Sequence, residues 1–361
     1  MKILILSHTR NISNFKIGSH HYANGLSDEH NIEYLGFPYT IFHKLTGKDR
    51  SGIEQLNSKV STFQAFFLFP ITIGYNKLFI YINKKILSYF SRVHKKNFDC
   101  IICDTPYFSP YLELISYRKL IYRPTDIYEK MDGFKVEPYE KEIINLSNEI
   151  IATSDVVMNY LRKKYPNETR RKKISFIANG YDDSCFNKLN LPKVRTGAIY
   201  IGALDERFDF DALEHLSSSF PDEKFDIYGP ISNDFKLRVK EIAERRNNVF
   251  FHNAVEYYKT PDLLKSHKIG LLLLKNSELN RGRSPMKLWE YISCGLSVLY
   301  SAVEIDKKYS RMEELVKYNN IDELVDKYLQ IKKNNFSNFS QSLTEHSWKF
   351  KVAEIKNKLE S

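Results

Sequence analysis

Cysteine is scarce in this 361-residue chain: four, at positions 100, 103, 185 and 294. At those spacings they make no disulfide framework, which points to a reducing compartment, the cytosol. Cys100 and Cys103 form a CxxC, but it ends the apolar run Phe98 to Cys103 and no second pair follows at zinc-finger spacing. Buried thiols are the expectation. Long apolar runs are missing too. Phe63 to Tyr75 (FQAFFLFPITIGY) comes nearest, but Pro70 and Gly74 interrupt it and Asn76-Lys77 follow, so it is too short to span a bilayer. No GxGxxG follows the first predicted strand, which disfavours an NAD-dependent oxidoreductase. Met1-Lys2 leads straight into that strand, so no signal peptide is expected.

What is present is a soluble globular composition, 42% hydrophobic and rich in Tyr and Phe, long enough for two domains. The formal net charge of +10 suggests an anionic partner. Because the charge is dispersed and no nucleic-acid module is recognisable, nucleic acid is the weakest candidate.

Lys2 to Leu6 reads as a buried strand ending at Ser7-His8, followed by a polar loop and a helix capped by Ser19. His20 and His21 fall at the start of that helix, where a substrate could reach them; partly exposed structural histidines are the plain alternative. Ile32 to Leu35, Asp99 to Cys103, Lys119 to Tyr122, Glu149 to Ala152 and Ile174 to Ala178 continue a strand series. Asp104 and Asp126 (in Arg123-Pro124-Thr125-Asp126) then sit at carboxyl ends of strands, where α/β sheets bind ligands. Lys77 to Asn97 holds six lysines or arginines and no acidic residue, interleaved with Leu78, Phe79, Ile82, Ile86, Tyr89, Phe90 and Val93. It reads as a basic amphipathic helix able to lie on an anionic membrane. The plain alternative is a domain helix that packs its apolar side inward and shows its lysines to water.

The loop Tyr181 to Pro192 is the candidate linker, and a second α/β unit begins at Gly197. Its strand Ala198 to Ile201 ends in the turn Gly202 to Arg207. Gly202 permits close approach of a ligand, and Arg207 could reach a phosphate. Lys224 to Ile227 ends at Tyr228-Gly229-Pro230, and Ile269 to Leu274 (IGLLLL) is a central buried strand. The alternation of apolar strands and helices predicts a parallel sheet covered on both sides.

Everything in this half feeds Arg281 to Gly295, RGRSPMKLWEYISCG. Ser284 suits an N-cap, Pro285 the first helical position and Gly295 the stop. The helix start at Met286 carries Arg281, Arg283 and Lys287, and its unpaired N–H groups and dipole favour a phosphate. Lys287, Glu290 and Tyr291, at i, i+3 and i+4, share a face that could hold a diphosphate at one end and a ribose diol on Glu290. A surface helix with ordinary charges is the plain alternative.

Ala178-Asn179-Gly180-Tyr181-Asp182, the turn Gly202 to Asp209, and Pro285 to Tyr291 with Gly295 together resemble GT-B glycosyltransferases. The last segment is similar to the P-x-K-L-x-E-Y-x-x-x-G stretch of nucleotide-sugar transferases. Within the fold, Met286-Lys287-Leu288 with Gly202-Ala203 and Asp126 is similar to the membrane-associated glucuronosyltransferases of xanthan-type exopolysaccharide assembly. The resemblance implies an α/β GT-B fold of two Rossmann-like domains with a cleft between them. Residues 1–190 would form the acceptor-binding domain, joined by a crossing-back helix in 342–361, and 191–341 the nucleotide-sugar-binding domain.

In function, the resemblance implies transfer of a sugar, glucuronic acid among the candidates, from a UDP-linked or similar donor. The acceptor would be a glycan or polyprenyl-diphosphate-linked oligosaccharide in bacterial surface, capsule or exopolysaccharide synthesis. Lys287 and Arg207 would meet the diphosphate and Glu290 the ribose, while backbone near Tyr228 and 254–257 would meet the base. Gly202, Gly229, Arg283, Ser284 and Met286 complete the donor-binding set. Asp126 would be the general base of an inverting reaction, with His20 or His21 as substitutes. Retaining relatives often carry a Glu eight residues before Glu290; here that position is Gly282, which favours inversion. No metal or other cofactor is expected: Asp209-Phe210-Asp211 matches DxD but falls at a helix start, where Asp serves as a cap. The expected location is cytoplasmic, peripheral at the inner face of the cell membrane, with 63–97 toward the lipid. A nucleotide-sugar epimerase of the same fold and a non-catalytic partner subunit of a glycan-assembly complex are the alternatives.

Overall fold

Residues 1–360 are described by a computed structural model, apart from 14, 41–42, 44–51, 64, 91–95, 285, 306–308, 310–311 and 334–342. Pro285 and Val93, named above, and Arg92 and Lys95, two of the six basic residues of 77–97, therefore lie outside the described residues, as do 342 and 361 at the ends of the crossing-back segment. The chain divides into two units, Met1–Asn179 with Trp348–Ser361, and Gly180–Ser347. Tyr181 and Phe186 already belong to a core of the second unit, ahead of the 190/191 boundary expected from the linker composition.

In the first unit the short apolar runs pair as parallel strands: β1 (Lys2–Leu6), β2 (Asn31–Leu35), β3 (Ser61–Thr62), β4 (Asn97–Cys103), β5 (Ser116–Tyr122), β6 (Glu149–Ala152) and β7 (Lys173–Phe176). The sheet order is β7-β6-β5-β4-β1-β2-β3. β1 and β4 are central, and Ile3, Leu4, Ile5 and Ile101 are fully buried, as a sheet covered on both faces requires. Cys100 and Cys103 lie inside it as free thiols; burial pushes the Cys100 thiol up to about 12 and that of Cys103 higher, so both stay protonated and unreactive. Around the sheet pack α1 (Gly18–Leu26), α2 (Lys77–Phe90), α3 (Glu137–Leu146) and α4 (Asp155–Lys164). Thus α2 is described to Phe90, short of the Asn97 expected.

The second unit repeats the plan with β8 (Ala198–Ile201), β9 (Phe225–Tyr228), β10 (Val249–His252), β11 (Ile269–Leu272), β12 (Ser297–Tyr300) and β13 (Leu315–Lys317), all parallel, in the order β10-β9-β8-β11-β12-β13. Its helices include α5 (Phe210–Ser219), α6 (Lys236–Arg245), α7 (Met286–Ser293) and α8 (Ile321–Lys333). Side chains of β8 alternate between two cores. Ala198 and Tyr200 join Phe208 and Leu213, while Ile199 and Ile201 join Leu288 and Tyr291 of α7. The last helix, α9 (Trp348–Glu360), belongs to the first unit, where His21 of α1 stacks on Trp348 at 5.2 Å and 8°.

Candidate functional site

In the second unit α7 is held by its buried face. Tyr291 lies against Gly270 of β11, and its hydroxyl oxygen accepts the backbone N–H of Ile201 at 2.8 Å, locking the helix onto the end of β8. The helix stops where a glycine can turn left-handed: Gly295 has φ +80°, and Leu296 N–H returns to Tyr291 O at 3.0 Å. The Arg195 guanidinium caps the exit through Gly295 O at 2.9 Å.

At the other end, Lys287 is half-buried and Glu290 only 5% exposed. Among the described residues, no ion pair or hydrogen bond reaches either the Lys287 ammonium or the Glu290 carboxylate. Burial pushes Glu290 above the usual carboxylate range, Lys287 pulls it back, and nearby Asp182 pushes further up. Glu290 thus sits almost wholly inside the unit, with a cation as its electrostatic neighbour. Ser284, Met286 and Arg283 are half-buried just before and within the first turn, and Met286 N–H meets Ser284 O at 3.0 Å.

Gly202 and Gly229 follow paired strands, since Ile201 faces Tyr228 in the β8–β9 register. Gly202 N–H donates to Tyr228 O at 2.9 Å, and a Cβ on Gly229 (φ +153°) would fall 1.7 Å from Gly202 O. No other residue fits there, and the two turns form one close-packed backbone ledge. Arg207 and Arg283 both bear on the Tyr200 phenol beneath it, drawing down a pKa that burial holds high. Arg207 is not a loose cation, however. Its Nε donates to both oxygens of Asp205 at 2.8 and 3.0 Å, and Nη2 also reaches that carboxylate.

Tyr228 stacks on His252 at 4.2 Å and 12°. The Nε2–H of His252 meets Oδ1 of buried Asp226 at 2.7 Å, and His267 and Lys224 engage Oδ2 at 3.0 and 2.8 Å. Hydrogen bonds from His267, Lys224 and His252 outweigh burial and hold the Asp226 carboxyl well below its ordinary value. Sequence reasoning missed Asp226, His252 and His267, because single polar residues in or beside short strands carry no periodic signal.

In the first unit Asp126 is half-buried, just past β5, and Thr125 Oγ1 donates to its Oδ2 at 3.1 Å. Thr153 Oγ1 pins the loop through Pro124 O and Thr125 O. Asp104, past β4, is fully buried, accepts from Tyr22 Oη and is pushed up by burial. Arg123 is also fully buried, donates to Asn179 Oδ1 at 2.9 Å and leaves Nε and Nη1 without partners. Nothing in its sequence neighbourhood marks it as interior.

The histidines require correction. His20 Nδ1 accepts Ile17 N–H at 3.2 Å and Nε2–H donates to Arg10 O at 2.9 Å, so both nitrogens are spent; burial lowers its pKa to about 4. A general base needs an available lone pair, and His20 has none to offer. His21 is buried against Trp348, and burial with Lys16 holds its pKa well below the usual value. Ser19 does not cap α1 either. Its hydroxyl is spent on Ser7 Oγ (2.8 Å) and Tyr34 Oη (3.0 Å) inside the unit.

Residues 208–337 match the family model described as Glycosyl transferase-like. TuaH of Bacillus subtilis (strain 168), a proposed teichuronic acid biosynthesis glycosyltransferase, is 23% identical over 55% of this chain and 54% of its own length. The match thus spans about half of that curated relative. Among solved structures, a glycosyltransferase from Rickettsia africae has a TM-score of 0.68 at 15% identity, covering 99% of this chain and 97% of the other. HepE of Anabaena, solved with UDP and glucose, scores 0.65 at 14% identity, covering 99% and 95%. Sucrose-phosphate synthase of Thermosynechococcus elongatus scores 0.65 at 13%, covering 99% and 94%. With two parallel-sheet units and the fold of these enzymes, the chain has the GT-B fold, and its segment from α5 to α8 matches a glycosyl transferase-like family model.

Proposed function

We propose that this chain transfers a sugar from a UDP-linked donor to a glycan or polyprenyl-diphosphate-linked acceptor of the bacterial cell surface, with inversion at the anomeric carbon and without a metal. The observation that carries this is the unpartnered pair on α7, a cation at Lys287 and a buried carboxylate at Glu290, one helical turn apart. A nucleoside diphosphate supplies what both lack, phosphate oxygens for the ammonium and ribose hydroxyls for the carboxylate. Arg283 and the start of α7 add N–H donors and positive charge for the leaving diphosphate, and the Gly202–Gly229 turns, which carry no side chain, permit close approach. Arg207, already held by Asp205, would contribute through the pair rather than as an independent cation.

In the reaction an acceptor hydroxyl oxygen attacks the anomeric carbon, the bond from that carbon to the diphosphate oxygen breaks, and the hydroxyl proton passes to Asp126. Nucleoside diphosphate leaves with the bonding electron pair. The UDP in the HepE structure and the teichuronic acid biosynthesis named for TuaH support the donor and acceptor classes. Glucuronic acid is one donor sugar to be tested. A lipid-borne acceptor places the enzyme at the inner face of the membrane, with segment 63–97 toward the lipid.

The test is a donor screen with product analysis. UDP-sugars incubated with lipid-linked glycan acceptors should give a lengthened glycan with inverted anomeric configuration by NMR. An isomerised sugar formed from donor alone would make the chain an epimerase. Turnover of no nucleotide sugar would remove the proposal, and a retained configuration would remove Asp126 from its role.

A further inference from the structure

We propose that the outward face of α2 is a docking surface for an anionic lipid bilayer, with Leu78 and Tyr81 entering the headgroup boundary beside Lys77 and Lys85. The proposal deepens the reading of a lipid-borne acceptor and rests on it for its purpose, though docking is measurable separately.

A helix on a domain needs one apolar stripe, the one it packs inward. In α2 that stripe is accounted for: Ile80 and Leu87 are buried in the core. Between them Asn83 ties the helix to the chain beneath it. Its Oδ1 accepts Leu68 N–H at 3.0 Å and Phe69 N–H at 3.2 Å, and its Nδ2 donates to Phe69 O at 2.9 Å. A second stripe remains on the opposite side. Leu78 is 61% exposed, Tyr81 58% and Tyr89 85%, with Ile73 at 53% just before the helix. Leu78, Tyr81, Lys85 and Tyr89 follow helical spacing, so they form one row about 16 Å long, parallel to the axis. The domain-helix alternative explains the first stripe and leaves the second without a reason.

The charge selects the occupant. Residues 77–97 contain no Asp or Glu. Lys84 and Lys96 are spent on Glu113 and Glu33, at 2.8 and 2.7 Å, which corrects the uninterrupted basic face expected from the sequence. Lys85 remains exposed on the row and Lys77 exposed beside it, and the Lys85 ammonium lies over the Tyr81 ring at 5.4 Å. A straight row of aliphatic and tyrosine side chains flanked by lysines matches a bilayer boundary, where tyrosine rings sit at headgroup level and lysine stems reach up to lipid phosphates. A second copy would bring the same lysines against one another.

The full chain is sedimented with phosphatidylcholine vesicles and with vesicles containing phosphatidylglycerol. The wild type should pellet with the anionic vesicles and far less with the neutral ones. Leu78→Glu with Tyr81→Glu should weaken this about tenfold or more, and Lys77→Glu with Lys85→Glu should abolish the preference for anionic lipid. All four positions are exposed, so thermal melting and UDP binding should be unchanged. Equal binding to both vesicle types, or no effect of the Leu78/Tyr81 variant, overturns the proposal. So does a wild-type dimer in ultracentrifugation that this variant splits. Vesicle binding without any nucleotide binding would leave this surface standing and remove the transferase reading alone.

Discussion

Lys287 and Arg207 show how the same charge type can hold two different positions. Arg207 is neutralised within two residues by Asp205, whereas Lys287 has no ion pair among the described residues and acts on Glu290 one turn along the helix. Helical spacing made Lys287 and Glu290 legible, since i and i+3 share a face whatever the surroundings. His20 was not legible, because a backbone N–H and a carbonyl from distant loops consume its nitrogens, and sequence spacing does not report either. Asp126 places a carboxylate at a strand end, where Thr125 Oγ1 donates to it. Asp126→Asn should lower kcat about a hundredfold or more while leaving the dissociation constant for UDP unchanged; a variant of full activity removes it as the base. Glu140 gives a pH prediction. Buried on α3 between Tyr122 Oη (2.9 Å) and Tyr165 Oη (3.0 Å), its pKa is raised by burial from 4.5 to about 7. The folded state holds this proton more tightly than the unfolded chain. The associated stability is therefore present below about pH 4.5 and lost as pH rises to about 7, a swing on the order of 3 kcal/mol. In urea unfolding at pH 5 and pH 8, Glu140→Gln should flatten the wild-type fall by that amount; parallel pH dependences would contradict it.

At the scale of elements, apolar runs located the strands well because a parallel sheet buried on both faces demands continuous hydrophobic residues. β1, β6, β8 and β11 fell where the runs did. Two-residue β3 and three-residue β13 left no such mark, being defined by pairing rather than by composition. Helix ends were mixed. Gly295 ends α7 as its place in the sequence implied, whereas the Ser19 cap failed because tertiary bonds claimed its hydroxyl. Asp209 caps α5, accepting Ala212 N–H at 3.0 Å, so the DxD-like stretch spends its first carboxylate on a helix end. Asp209→Ala should cost about 1 kcal/mol of stability by denaturant unfolding, with kcat/KM at low temperature unchanged. A large loss of activity at unchanged stability would instead make Asp209 part of the chemistry.

For the whole molecule, the two-unit α/β plan was readable from alternation alone, and the GT-B fold from the segment around α7. The donor sugar was not, since a uronate or a neutral hexose would be told apart by a few side chains that no motif marks. Net charge of +10 set the expectation of anionic partners, and the structure adds where charge is unspent rather than how much there is. A ligand that binds only the folded chain raises its apparent stability by about 2.7 kcal/mol at a hundredfold excess over its dissociation constant. UDP should therefore raise the melting temperature, and uridine without the diphosphate should do so far less. Equal shifts from both would place the binding energy on the base and away from the start of α7.

The most direct test of the account is titration calorimetry of UDP against the wild type and Lys287→Ala. The account predicts saturable one-to-one binding by the wild type and at least about tenfold weaker binding by the variant, as expected for losing a charge-assisted contact. Equal affinities for the two proteins would contradict it.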